Sequence, residues 1–160
     1  MANPTYNANS DAVRGDELFI YVDVSSTATP DYQPIAYATN TSIEISADTI
    51  DTANKMGGSF KTYLLGQTSW TLSTDALVTK ATTAGPNVDK LFEYMKDRKA
   101  VKIMFGKSNN TASDDFSLST PGWYSGEAYI TSLSISADNG SVATLSCSLQ
   151  GSGKLTIPIP

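Results

Sequence analysis

A mainly β fold is what this sequence predicts: a sandwich or barrel of antiparallel strands with one flanking α-helix at about residues 87–98. Three observations carry that expectation. Short runs of β-branched and aromatic residues recur along the chain, several of them with a period of two. Asn139-Gly140 separates two of the longest runs, and Asn-Gly is a strong hairpin signal because a type I′ turn needs positive φ at both central residues. One segment alone has helical spacing, with Val88, Leu91, Phe92 and Met95 at i, i+3, i+4 and i+7. The 160 residues suit one domain, 16–160, behind a polar, flexible arm of residues 1–15 rich in Asn, Ala and Ser.

In chain order, Leu18 to Val24 is a β-branched and aromatic run, apolar but for Asp23, which implies a strand at least partly covered on both faces. Residues 25–30 are rich in turn formers, and 33–38 and 41–47 are short alternating strands. Residues 48–59 lack a period and contain Gly57-Gly58, so a long excursion is expected there. Strands resume at 60–65 and 68–78, separated by Gly66. For the helix, Pro86 or Asn87 suits the start. Asp89 complements the positive end of the macrodipole, and Lys96, Arg98 and Lys99 the negative end. Its apolar side chains call for a sheet face, since burial of each contributes roughly 1.5–3 kcal/mol. A strand at 100–105, a polar loop at 106–121, and two long strands at about 124–137 and 141–150 follow. A last strand at 154–159 is confined to an edge or an end by Pro158 and Pro160.

Alternation divides the long hairpin into two faces. Tyr129, Leu133, Ile135, Ala143, Leu145, Cys147 and Leu149 fall on an apolar one. Ser132, Ser134, Ser136, Thr144, Ser146 and Ser148 fall on the other. Solvent faces of strands usually mix in Lys and Glu, which also discourage edge pairing. A face of hydroxyls alone reads either as a Ser/Thr-rich solvent face or as the lining of a wet channel.

Composition narrows the function classes. Charged residues make up 17% of the chain, against about a quarter in an average protein. A net charge of -5 argues against a surface that grips nucleic acid but not against one that nucleic acid slides past. There is no histidine, which removes the usual triads and the commonest metal ligand, so an enzyme is not expected. Cys147 is the one cysteine, leaving no disulfide framework or thiolate cluster. Gly151-Ser-Gly-Lys154 resembles part of a phosphate loop but lacks the following Ser/Thr and helix, so a bulge between strands is the better account. The pairs Asp48/Asp51 and Asp114/Asp115 lack the spacing of a calcium loop and read as solvated turn residues. Trp70 and Trp123 read as core or interface anchors. No cofactor or metal is expected. Neither a signal peptide nor a membrane anchor is expected, because the first ten residues have no basic cluster or apolar run and no long apolar window occurs.

An ordered set of short elements carries a family resemblance: Asp48-Thr-Ile-Asp-Thr-Ala-Asn-Lys55, Gly57-Gly-Ser-Phe60, Tyr63-Leu-Leu-Gly66, Trp70-Thr-Leu-Ser-Thr-Asp75, and the closing hairpin from Ala137 to Leu155. Together they resemble the major tail proteins, or tail tube subunits, of long-tailed bacteriophages, over most of residues 16–157. Met56 and Phe60 depart from the commonest residues of that pattern. The resemblance implies a tail-tube-like fold and a structural role. Six subunits would form a ring with a continuous inner barrel, rings would stack into a tube, and DNA would transit without specific binding. Ser132, Ser134, Ser136, Thr144, Ser146 and Ser148 become the candidate lumen face. Asp48, Ile50, Asp51, Asn54, Lys55, Met56 and Phe60 become a candidate ring-stacking loop. The implied partners are further copies of the chain, a tape-measure protein and a tail terminator; the implied location is the virion tail, assembled in the bacterial host cytoplasm. Two other functions fit the residues. One is the inner tube of a phage-tail-like contractile injection system. The other is an extracellular β-sandwich binding module, which would use exposed aromatics such as Trp123 and Tyr124.

Overall fold

The computed structural model describes residues 12–80, 85–110, 114–119 and 122–158. Residues 1–11 of the expected arm, and 159–160 of the expected last strand, lie outside these. One turn of 3-10 helix at Gly15–Glu17 leads into β1 (Leu18–Asp23), β2 (Tyr32–Pro34), β3 (Ala38–Asp51) and β4 (Tyr63–Leu77). Helix α1 (Val88–Lys96) follows, then β5 (Val101–Asn110), β6 (Asp115–Leu118), β7 (Tyr124–Ser136) and β8 (Thr144–Thr156). The eight strands make one sheet in the order β2-β1-β5-β7-β8-β4-β3, with β6 branching from β5. Every pairing is antiparallel. The sheet curls until β3 passes β1, where the Thr41 hydroxyl donates to the Leu18 carbonyl at 3.0 Å. The open choice between sandwich and barrel therefore resolves to one sheet wrapped around its own core.

That core follows from alternation. Ile20 and Val22 from β1, Leu72 from β4, Ile103 from β5, Leu145 and Leu149 from β8, and Leu91 from α1 are all at most 2% exposed. They belong to one cluster with Trp70, Phe105, Ala128 and Ile130. Trp70 sits at its centre, its indole N–H donating to the Gly153 carbonyl at 3.1 Å. Glycines make room for the ring: a Cβ at Gly151 would stand 2.1 Å from it and one at Gly126 2.7 Å. The continuous apolar run of β1 is covered on both sides, because Phe19 and Tyr21 meet β6 on the outer face. The Tyr21 hydroxyl donates to the Phe116 carbonyl at 3.0 Å, and the Phe19 and Phe116 rings pack edge to face.

Several sequence expectations need correction. The helix lies where its spacing placed it, capped by Asn87, whose side-chain oxygen accepts from the Lys90 amide at 3.1 Å. It is rotated, however. Leu91 and Tyr94 are buried and Val88 partly so, whereas Phe92 is 56% and Met95 38% exposed. Tyr94 takes the inward position because its ring can bury while Lys90 and Lys99 stand over it at 5.1 and 5.5 Å. The supposed excursion at 48–59 begins as strand, since β3 continues to Asp51. The supposed break at Gly66 lies inside β4. The expected polar loop after residue 106 contains the end of β5 and all of β6. The final strand is the continuation of β8 through Gly151 and Gly153, with a register shift in β7 opposite between Ser125 and Glu127. The Asn139-Gly140 turn closes by the Ser141 amide donating to the Asp138 carbonyl at 3.1 Å. Only Gly140 has positive φ, at 84°, so the turn is not type I′. The last strand pair is Ser136 with Thr144, and the wider loop has no need of the twist-matching turn that a two-residue hairpin requires.

Candidate assembly surfaces

Two surfaces lie outside the core. The first is the convex face of four neighbouring strands, β7, β8, β4 and β3. Cross-strand partners in an antiparallel sheet share a face, so the register assembles side chains from all four into rows. Ser132, Ser148, Ser73 and Ser42 form one row. Ser134, Ser146, Asp75 and Asn40 form the next, and Tyr129, Gln150, Thr71 and Glu44 a third. Ser136 and Thr144 close the hairpin end. The six hydroxyl residues named from the sequence are thus all exposed and on one face. Twelve positions in three rows carry two acids and no lysine or arginine. Some of these groups bond across strands: Ser42 to Ser73 is 2.6 Å, Ser46 to Ser69 is 3.1 Å, and Ser146 donates to Asp75 at 2.6 Å. Beneath the face, burial pushes the Cys147 thiol up to about 12, so it is inert packing.

The contribution of β3 and β4 went unread in the sequence, although the alternation of Ser69, Thr71, Ser73 and Asp75 carried the signal. Tyr129, expected on the apolar face, belongs to this one. A bulge between Ile130 and Ser132 shifts the register by one residue, so Ile130 and Leu133 both point inward while Tyr129 points out, 43% exposed. No local residue pattern announces that bulge.

The four-strand block is open along both sides. β3 is the last strand of the sheet. β5 pairs with β7 only over Tyr124–Ala128, so Tyr129–Ser136 has, among the described residues, β8 on one side and no strand on the other.

The second surface is an arm. β4 pairs with β8 only from Thr71 to Leu77, and beyond that point β3 and β4 continue as a two-stranded hairpin. Asp48, Ile50 and Asp51 lie on its β3 limb. Asn54, Lys55, Met56 and Phe60 lie in its tip, so the residues named for stacking do share one projection. The tip is built by local bonds. The Thr52 amide donates to the Thr62 carbonyl at 2.9 Å, and the Asn54 side-chain oxygen accepts from the Met56 amide at 2.9 Å. Large apolar side chains are bare along it, with Met56 96%, Phe60 86%, Leu65 77% and Leu64 62% exposed. An isolated hairpin is marginal in water, and so contiguous an apolar projection marks an interaction site.

The family model described as phage tail tube protein matches residues 12–157. Among curated protein sequences nothing matches. The fold resembles the tail of an empty gene transfer agent particle, refined with C6 symmetry, with a TM-score of 0.73 at 19% identity over 92% of this chain and 100% of that one. It also resembles the SPP1 tail tube, at 0.66 and 14% identity over 93% and 81%. The sheath–tube complex of an extracellular contractile injection system gives 0.61 and 16% identity over 97% and 100%. At these identities the likeness is one of fold.

Proposed function

Because this chain belongs to the phage tail tube protein family, we propose that it is the ring-forming subunit of a virion tail tube and that its four-strand polar face lines the channel. The carrying observation is the pairing of that face with two open strand edges. Joining the free side of β3 in one subunit to the free half of β7 in the next extends the serine rows around a closed ring, which removes both edges from solvent. Sixfold closure is the arrangement named for the gene transfer agent tail of similar fold. A lining with two acids per block and no basic side chain gives DNA nothing to exchange its counterions for, so transit is fast and independent of sequence. The arm, with Asp48, Ile50, Asp51, Asn54, Lys55, Met56 and Phe60, stacks one ring on the next. The role is structural rather than catalytic. A tape-measure protein within the tube and a terminator at its end are the further partners, with assembly in the host cytoplasm.

Negative-stain microscopy of the purified protein tests this. Rings or tubes with a central hole are expected. A protein that stays monomeric at high concentration, with no rings under any salt condition, overturns the reading.

A further inference from the structure

Ala38 opens β3 at the end opposite the arm, with Tyr37 just before it. There they help line a groove of about 710 Å³ between β2 and β6, with Phe19, Tyr32, Pro34 and Phe116 as its apolar walls. We infer that this groove is the receptor for the arm tip of a second copy of the chain, which seats Met56 and Phe60 in it. The inference rests on the reading of the chain as a stacked subunit and adds where the stacking arm lands.

Three observations point to this occupant. The first is position. Groove and tip lie at opposite ends of one strand, Ala38–Asp51, and a strand of that length spans roughly 40 Å. The tip therefore cannot fill its own groove, and a contact between opposite ends of identical molecules propagates as an open stack. The second is charge. Residues 54–61 carry Lys55 and Lys61 and no acid, flanking the two bare apolar side chains. The groove is lined by the acids Asp31 and Asp114 and by no basic residue. The Gln33 side-chain amide donates to the Asp31 carboxylate at 2.9 Å, which orients it. The third is backbone strain. Tyr37, which lines the groove, has φ of 55°. Tyr37 is 54% exposed, so a bulky, half-bare residue is held in a disfavoured conformation in the groove wall, a pattern that concentrates at binding sites.

The test is photocrosslinking in assembled material. Phe60 is replaced by a photoreactive phenylalanine analogue, tubes are grown from mixed light and ¹⁵N-labelled chains, and adducts are mapped by mass spectrometry. Adducts between different chains within residues 31–38 or 114–119 are expected. Intact tubes whose adducts lie only elsewhere overturn the groove as receptor and leave the tube reading standing. Failure to form rings or tubes, with or without the analogue, overturns both. A second arm uses charge. D31K with D114K is expected to lower pelletable tube at least tenfold at low salt, and K55E with K61E in the same chain to restore it. Tubes indifferent to the first reversal count against the proposal.

Discussion

Gly151 shows how much of this fold depends on an atom that is missing. Trp70 occupies the space its side chain would need, with a hypothetical Cβ 2.1 Å from the indole, and the ring is only 3% exposed. Gly151→Ala must therefore displace a core tryptophan rather than a flexible side chain. Overpacking of this kind costs about 1–3 kcal/mol or more, which equilibrium urea denaturation should read as a lower midpoint. Two buried acids make a second residue-level prediction. Burial raises the Cys147 thiol from 9.0 to about 12. Burial first, and then the charge of Asp115, raises the Tyr21 hydroxyl from 10.0 to about 12. Both are protonated in the fold at pH values where the unfolded chain would release them. Stability is thus unaffected by these groups below about pH 9 and falls as pH rises from there towards 12. Chemical denaturation at pH 8, 9.5 and 11 checks the trend. Native Cys147 should resist alkylation at pH 8.5 and react once the chain is unfolded.

Elements were legible in the sequence wherever burial is one-sided. Alternation in β7 and β8 is strong because one face meets the core, and the rows of Ser132 to Ser136 and Thr144 to Ser148 could be read directly. The arm is illegible for the complementary reason. Residues 48–51 have no core beneath them, so nothing imposes a period of two, and the strand there is specified by pairing with Tyr63 to Leu65 instead. The helix was placed correctly but turned, because apolarity alone could not choose Tyr94 over Phe92 and Met95 for the inward side. Its cap offers a direct check. Asn87→Ala removes the acceptor for the Lys90 amide and the donor to the Lys80 carbonyl, and should lower stability by about 1 kcal/mol, measured by thermal or urea unfolding. The arm should behave oppositely. Met56→Ser with Phe60→Ser removes side chains that bury almost nothing in the subunit. Subunit stability should stay within about 0.5 kcal/mol, while sedimentation shows tube formation lost.

For the whole molecule, the governing contrast is between a core that is closed and a periphery left open at two edges, an arm and a groove. Such a subunit is folded but unfinished, and on the proposed reading copies of itself cover its remaining apolar surface. The channel assignment makes its prediction at this scale. Ser132→Lys with Ser148→Lys places two cations in adjacent positions of one row without touching the core. Tubes should still assemble, but short duplex DNA should now be retained in them at low salt and released as salt rises, seen by co-sedimentation. Unmodified tubes should retain little at any salt. The serine rows have one more consequence. Their serine side chains are short, uncharged and much alike from row to row, so the face offers a passing phosphate the same weak, neutral donors at every step. With the proposed face lining the bore, the energy landscape along it is smooth rather than corrugated. A translocating molecule meets hydrodynamic drag but no succession of traps, and its speed is set by whatever pushes it rather than by the wall.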